Sequence, residues 1–312
     1  MPIDFSIDKE REEIVEIMKE ILEKENRIFN KELEKILDPV EVDIQKRITN
    51  LSFKEGSWFR PAHNIFVPLS MISICKYDNY SRDLVFVAQM HDIGNSLMEI
   101  AKTTKGADWE NVDKRKKHME LGADLLTEWL SQYKALGKLG ISKERIAELS
   151  EIVATHDNPY LGMPLKGGEE AKALRCADRT FIMMAGSFYK DLAAYLSDEK
   201  YLKKAEKFGV QLSPEEFLKF RLAFFYKNKE DLPEEWDTTL FPLEPDRAGY
   251  NEGGRYDEPY TRTGRKIVGE LFKRRAKELE NLSEIRTTLE FANLFEKGYS
   301  TDVNSLINLA SR

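Results

Sequence analysis

Cysteine and long hydrophobic runs are both scarce in this chain. Only Cys75 and Cys176 occur among 312 residues, and their spacing suggests neither a disulfide framework nor a cysteine-based zinc site. No apolar stretch approaches the roughly 20 residues that a membrane-spanning helix needs. The N-terminal sequence also lacks an apolar core of signal-peptide length. These absences predict a cytoplasmic protein that does not enter a membrane.

Positive charge is in deficit as well. Lysine and arginine number 48 against 55 aspartates and glutamates, which gives a formal net charge of -7. Proteins that bind nucleic acid without sequence preference depend on positive charge beside the phosphate backbone. We therefore do not expect non-specific nucleic-acid binding, whereas a local basic pocket for a small anionic substrate stays open.

Histidine is equally scarce, and its placement is informative. The first 62 and the last 156 residues contain none, and the four histidines lie at His63, His91, His118 and His156. Asp92 follows His91 directly, and Asp178 lies 22 residues beyond the last histidine. Four imidazoles and two carboxylates form a ligand set for two divalent ions, and nitrogen and oxygen donors favour Fe, Mn, Co, Ni or Zn over Mg. Asp92 is the expected central ligand, because its two oxygens allow it to bridge both ions.

Helical periodicity runs through most of the chain, so we predict an all-α protein. We expect amphipathic helices in residues 1–50, a metal-binding domain in residues 51–200 and a helical extension in residues 201–312. Two buried helices are predicted at 64–77 and 83–90, and one long helix at 169–196. Two further helices are predicted at 113–133 and 142–155, and Ser142 begins the second of them. The segment 232–264 is rich in Pro, Gly, Tyr and Arg, and we interpret it as a lid or a subunit contact. A homodimer remains open.

Four sequence blocks surround the candidate ligands and carry a family resemblance: HDIG at 91–94, HMELGADLL at 118–126, IVATHDNPYLGMP at 152–164 and ALRCADR at 173–179. Over about residues 60–196 the chain resembles the HD superfamily of metal-dependent phosphohydrolases. Within it, the chain is similar to the dinuclear HD-GYP phosphodiesterases. Asn95 stands where those proteins carry a lysine, and the Gly-Tyr-Pro signature is missing, which argues against a cyclic dinucleotide substrate. The resemblance implies an HD-domain helical bundle with extra N- and C-terminal helices.

The same resemblance implies how the two ions would be held. One ion would bind to His63, His91, Asp92 and Asp178, and the other to Asp92, His118 and His156. Two such ions can bind a bridging hydroxide that attacks phosphorus. The expected enzyme therefore hydrolyses a phosphomonoester or phosphodiester in a small molecule, for example a nucleotide. Asp92 and Asp157 are the expected catalytic residues, with Asp157 accepting a proton or orienting the water.

A phosphorylated substrate also needs polar or positively charged contacts. The candidates are Arg60, Asn95, Lys102, Lys105 and Arg179. For Arg60 and Arg179, a salt bridge to a ligand carboxylate is an equally good interpretation. The basic run at 114–117 is interpreted as a solvated helix face.

Two other functions fit the same ligand set. A minority of HD-fold proteins with six such ligands are mixed-valence diiron oxygenases, and bound iron with oxygen consumption would indicate that class. A regulatory or scaffold module could also keep the fold and the metal while acting through a partner. The complete ligand set favours an enzyme over such a module.

Overall fold

The computed structural model describes residues 3, 8–55, 59–100, 112–197, 199, 203, 212–225, 261–282 and 284–312. Within these residues the regular structure is helical and contains no strand, as the sequence predicted. The α-helices in chain order are α1 Asp8–Glu34, α2 Pro39–Glu55, α3 Arg60–Asp78, α4 Leu84–Met90, α5 Ile93–Ile100, α6 Val112–Ala135, α7 Lys143–Thr155, α8 Gly168–Thr180, α9 Ala185–Ser197, α10 Pro214–Phe225, α11 Arg262–Leu282 and α12 Thr288–Ser311. Short 3-10 helices lie at Asn158–Leu161 and Phe181–Met183.

The two apolar segments predicted as buried helices are α3 and α4. In α3, Pro61 lies in the first turn, where a missing N–H costs no helical hydrogen bond, and the residues from there to Cys75 are all buried. The helix continues past Pro68 and ends at Asn79, whose φ of 60° is left-handed. Helix α4 is buried along its whole length, and its last residue directly precedes His91 and Asp92. Helices that are apolar on all sides belong in the interior, which explains their position.

The prediction of one long helix over 169–196 is wrong, because the segment forms two helices with a break between them. Helix α8 ends at Thr180, and Met184 adopts extended backbone with ψ of 144° before α9 begins. The backbone N–H of Ala185 donates to Asp302 Oδ2 at 2.9 Å. A side chain 117 residues away thus satisfies one of the donors that every helix start leaves open, so the chain can break here without losing a hydrogen bond.

The helices α6 and α7 follow their predicted bounds closely. Ser142 has extended backbone and accepts a hydrogen bond from the backbone N–H of Arg145 at 3.0 Å, so it caps α7 as the sequence indicated. Gly137, with φ of 68°, lies in the turn after α6. This pair of helices supplies two of the candidate metal ligands.

The chain divides into two compact units, each discontinuous in sequence. The first comprises residues 1–25, 179–259 and 264–305, and the second comprises residues 26–178, 260–263 and 306–312. All six candidate ligands belong to the second unit, whereas the first unit packs aromatic side chains such as Tyr189, Phe291 and Phe295 together. The expected division at residues 50 and 200 stays a prediction.

No helix in the described part of the chain combines the length and apolar character needed to span a membrane. Most of the segment predicted to be a lid or a subunit contact, residues 232–260, lies outside the described residues, and its role stays a prediction.

Candidate metal centre

Five places in the second unit contribute to one buried cluster. Helix α3 carries His63, the turn between α4 and α5 carries His91 and Asp92, and α6 carries His118. His156 directly follows α7, and Asp178 lies near the end of α8. Each of the four histidines is at most 5% exposed. The side chains named by the sequence pattern therefore lie together in the interior, and we call them the histidine–aspartate cluster.

Two glycines allow these elements to approach one another. A Cβ atom on Gly94 would lie 2.0 Å from the backbone oxygen of His118, so only glycine fits between α5 and α6. A Cβ atom on Gly122 would lie 3.2 Å from the backbone oxygens of Met90 and His91, which is tighter than an ordinary contact. The turn that carries His91 and Asp92 is thus pressed directly onto α6.

Asp92 lies between two sets of imidazoles. Its Oδ1 is 3.6 Å from His118 Nε2 and 3.5 Å from His156 Nε2, while its Oδ2 is 3.9 Å from His63 Nε2. Two groups of side chains could each hold a metal ion: His63, His91 and Asp92 form one, and Asp92, His118 and His156 form the other. Within each group, one donor atom from every residue lies within 4.8 Å of the others. Asp92 belongs to both groups, which is the position of a bridging carboxylate.

Asp178 joins the first of these groups. Its Oδ1 lies 3.0 Å from His63 Nε2 and 3.5 Å from His91 Nε2. The side chain is 14% exposed, so it remains largely shielded from water. The group around His63 therefore offers two imidazoles and oxygens from two carboxylates.

Backbone carbonyls fix the orientation of two imidazoles. His91 Nδ1 donates to the carbonyl of Ala88 at 3.0 Å, and His156 Nδ1 donates to the carbonyl of Val153 at 2.7 Å. A proton on Nδ1 leaves a lone pair on Nε2, and in both rings Nε2 faces the cluster. His91 Nε2 is buried and makes no hydrogen bond within the described structure. A buried imidazole lone pair of this kind is suited to a metal ion.

The spacing of the donors also suits a shared ion. His118 Nε2 and His156 Nε2 lie 3.3 Å apart. Two nitrogens bound to one ion at about 2.0–2.1 Å lie about 3 Å from each other. Together with the lone pairs, this spacing means that the buried cluster could hold metal ions.

Electrostatics favour the metal-binding states of His118 and Asp92 but not that of His91. Burial, together with neighbouring His156, lowers the pKa of His118 to about 4, so the ring is neutral at neutral pH. Burial opposes the ionised form of Asp92, but Arg60 and His91 outweigh it and hold the pKa of Asp92 well below its ordinary value. Burial also opposes protonation of His91, yet Asp92 and Asp178 raise the pKa of that ring. Asp92 and Asp178 thus favour a proton on His91, and metal binding would release that proton.

Three arginines accompany the cluster, and each lies three residues before a candidate ligand. Arg60 precedes His63, Arg115 precedes His118 and Arg175 precedes Asp178. Residues three apart share one helix face, so each guanidinium is directed to the same side as the ligand. Of these three arginines, only Arg60 was predicted from the sequence to act at the site. The repeated spacing, arginine three residues before a histidine or aspartate, is the signal that would have found the other two.

Arg115 corrects the interpretation of the basic run at 114–117. Its side chain is only 9% exposed, and Nη1 donates to Asp157 Oδ2 at 2.8 Å, whereas Lys116 and Lys117 are exposed. The solvated-face interpretation is therefore wrong for Arg115. A sequence window shows only that the run is basic, and the direction of each side chain depends on where the helix packs.

Asp157 is held by two arginines and faces the second donor group. Its Oδ2 is 3.6 Å from His118 Nε2, and its Oδ1 is 3.6 Å from Arg175 Nη1. Both guanidinium groups lie over the ring of Tyr160, with Arg115 Cζ at 4.3 Å and Arg175 Cζ at 4.6 Å from the centroid. Such cation–π contacts fix the guanidinium planes. The carboxylate predicted to act in catalysis is therefore rigidly placed beside the cluster.

Two of the residues predicted to contact substrate instead donate hydrogen bonds to Asp92. Arg60 Nη1 donates to Asp92 Oδ2 at 2.5 Å, which is the salt bridge that the sequence left open as the other interpretation of Arg60. Asn95 Nδ2 donates to Asp92 Oδ1 at 3.1 Å. Arg179 follows Asp178 in α8 and is half-buried. Lys102 and Lys105 lie outside the described residues. Contact of any of them with a substrate stays a prediction.

Comparison of the chain with protein-family models, with curated proteins and with solved structures gave no match. The interpretation of this site therefore depends on its own geometry and chemistry.

Proposed function

We propose that this protein is a dinuclear metal-dependent phosphohydrolase of the HD type. Its substrate would be a phosphomonoester or phosphodiester in a small, nucleotide-like molecule. The observation that carries the proposal is the position of Asp92, which directs one carboxylate oxygen towards His118 and His156 and the other towards His63. Two donor groups that share a carboxylate are suited to a pair of ions a few ångströms apart.

Two divalent ions bound here would activate a water molecule and neutralise charge on a phosphoryl oxygen. The chain's contribution is to hold the donors in place. Backbone carbonyls orient His91 and His156 through Nδ1, and burial keeps His118 neutral. Preorganised ligands need no rearrangement at the moment of reaction, which lowers the barrier.

The charges around the cluster support an anionic substrate. Arg60 is paired with Asp92, and Arg115 and Arg175 are paired with Asp157. Asp178, beside His63 and His91, adds a third carboxylate to these three guanidinium groups. With neutral imidazoles these charges balance, so bound divalent ions would make the site positive. A positive, water-poor site favours a phosphoester over a neutral substrate.

Asp157 is our candidate for orienting the attacking water. Its carboxylate faces His118 Nε2, and Arg115 and Arg175 prevent it from rotating. A carboxylate fixed in this way accepts a hydrogen bond from water in one direction, so the oxygen lone pair of that water can be aimed at phosphorus.

The test is metal analysis of protein purified without added metal, coupled to assays of phosphate release. Nucleotides and generic phosphoesters would be tested with Mn, Fe, Co, Ni, Zn and Mg. We expect two ions per chain and turnover in the wild type, and neither in Asp92→Ala. Asp124→Ala, which changes an exposed carboxylate on α6, is the matched control and should retain both.

The other outcomes separate the alternatives. Bound iron with oxygen consumption and no phosphate release would replace the proposal with an oxygenase. Two bound ions without any turnover would favour a regulatory module. Full hydrolysis by protein that contains no metal would contradict the proposal outright.

A further inference from the structure

The two oxygens of Asp92 are not equivalent. Oδ1 faces His118 and His156 and accepts a hydrogen bond from the neutral amide of Asn95 at 3.1 Å. Oδ2 faces His63, and it accepts from the charged guanidinium of Arg60 at 2.5 Å. Both side chains of this ion pair are 11% exposed, so water screens it weakly. One oxygen of the shared carboxylate thus already has a cation beside it.

An ion in the group around His63 and His91 would have to use Oδ2 in the presence of that guanidinium. Like charges a few ångströms apart in a buried site repel strongly. Among the described residues no guanidinium is paired with Oδ1, and the two arginines near the other group are paired with Asp157 instead. The two donor groups therefore differ in how easily they accept a cation.

We infer that Arg60 takes the place of the second metal ion, so that the group around His118 and His156 fills first and the group around His63 and His91 fills only as Arg60 leaves Asp92. This inference rests on the proposed function insofar as the cluster must bind ions. It deepens that proposal by adding an order of loading and a residue that controls it.

The chain is built in a way that allows this exchange. Backbone carbonyls hold His91 and His156 in place, whereas Arg60 reaches Asp92 through a long side chain with several rotatable bonds. Before metal arrives, Arg60 also places a cation beside the buried carboxylate of Asp92. Arg60 can therefore keep the empty cluster folded and then withdraw.

The test is calorimetric titration of metal-stripped protein with Mn²⁺ alone. The wild type should show two binding events of unequal affinity. Arg60→Met removes the charge and should strengthen the weaker event about tenfold, with the tighter event nearly unchanged. His63→Ala should remove the weaker event, and His118→Ala should remove the tighter one, which assigns each event to its donor group.

Two further variants isolate the effect of charge. Arg60→Lys keeps a cation at the same position and should bind Mn²⁺ like the wild type. Arg47→Met removes an exposed arginine in the same unit and should also leave both events unchanged. If Arg60→Met fails to fold, as judged by circular dichroism, Arg60→Gln provides the same test with a neutral donor.

The opposite result is equally clear. If Arg60 instead supports Asp92 as a ligand, its removal should weaken binding about 10- to 100-fold, and that result or no change would overturn the inference. No Mn²⁺ binding by any variant would overturn both the inference and the proposed metalloenzyme. If Mn²⁺ binds in the predicted order but no phosphoester is hydrolysed, only the proposed hydrolase activity would be contradicted.

Discussion

Each compact unit buries a group of charged side chains, and the two groups satisfy their polar atoms differently. In the first unit, an arginine–carboxylate network consists of Tyr189, Arg274, Arg275, Glu278 and Asp302. Both oxygens of Glu278 accept hydrogen bonds at 2.9 Å, from Arg275 Nη2 and from the Tyr189 hydroxyl. The oxygens of Asp302 accept from Arg274 Nη1 and from the backbone N–H of Ala185, also at 2.9 Å. These contacts pair donors with acceptors, although Arg275 Nε and Nη1 are buried and make no hydrogen bond within the described structure.

In the histidine–aspartate cluster of the second unit, atoms that can bind a cation instead lie close to one another. His118 Nε2 lies 3.3 Å from His156 Nε2, and His91 Nε2 is directed towards Asp178 Oδ1 at 3.5 Å. The buried carboxylates of the first unit are paired with guanidinium groups and other donors, so we interpret this network as structural. The imidazole nitrogens and carboxylate oxygens that converge in the second unit could hold a metal ion. The contrast therefore separates a stability element from a candidate binding site without reference to any relative.

The largest expected effect comes from removing a ligand. His91→Ala should lower the affinity for at least one ion by more than about a hundredfold, beyond the loss typical of residues that only support ligands, and should abolish hydrolysis. Helix content should stay near that of the wild type. Metal analysis and circular dichroism check both statements.

Added imidazole provides the control for this variant, because it can occupy the space of the lost ring and should restore part of the metal binding. A His91→Ala protein that keeps two ions per chain and full turnover would remove the distinction between the two buried groups.

The arginine–carboxylate network should respond in stability instead. Arg275 and Asp302 are both 0% exposed, and Arg275→Met would remove the buried cation that Glu278 and Asp302 share. We expect a loss of about 3–5 kcal/mol in the free energy of unfolding, measured by urea denaturation, with metal content unchanged in the folded protein. Lys19→Met, which breaks an exposed pair with Glu16, should cost about 1 kcal/mol at most. Equal losses in the two variants would contradict a structural role for the network.

A smaller effect is expected where the cluster depends on backbone packing. In Gly94→Ala the new methyl group would lie 2.0 Å from the backbone oxygen of His118, so α5 and α6 must separate. We expect a destabilisation of about 1–3 kcal/mol together with weaker metal binding, because His118 moves with its helix. Gly140→Ala, whose methyl group would meet nothing within 4 Å, should stay within about 0.5 kcal/mol of the wild type. Unchanged metal affinity in Gly94→Ala would show that the cluster tolerates this displacement.

The smallest expected effect is a pH dependence within the arginine–carboxylate network. Burial raises the pKa of Glu278 above its ordinary value of 4.5, although Arg275 opposes the shift. A raised folded-state pKa contributes stability that is fully present below the unfolded value and is lost as pH rises through the folded value. Glu278→Gln should therefore gain stability relative to the wild type as pH rises from 4.5 to 7.

Urea unfolding of both proteins across that pH range provides the measurement. Exposed Glu284→Gln is the matched control and should follow the wild type at every pH. A difference between Glu278→Gln and the wild type that is constant with pH would exclude titration of Glu278 as the cause.

The helical fold follows from local patterns for a physical reason. The periodicity of apolar residues and the capping hydroxyl of Ser142 act within a few residues, so the bounds of α4, α6 and α7 could be predicted from the sequence. The break between α8 and α9 could not, because the donor of Ala185 is satisfied by Asp302, a residue from the other end of the chain. Long-range contacts of this kind leave no local signal.

The candidate site divides in the same way. Scarce histidines, the His91-Asp92 pair and Asp178 identify which residues carry metal-binding chemistry, because residue type alone sets the donor atoms. The sequence does not indicate that the Arg115 side chain is directed into the protein, whereas the side chains of Lys116 and Lys117 are exposed. That direction depends on which face of α6 is packed against the rest of the unit.

The sequence by itself thus determined the class of secondary structure and the supply of ligands, since both follow from side-chain chemistry and short-range spacing. Only the tertiary structure decided that Asp92 lies between two donor groups, that Arg60 is paired with one of its oxygens and that Asp157 is fixed by two arginines. The physical reason is that distances and charges between separate helices arise only when those helices pack.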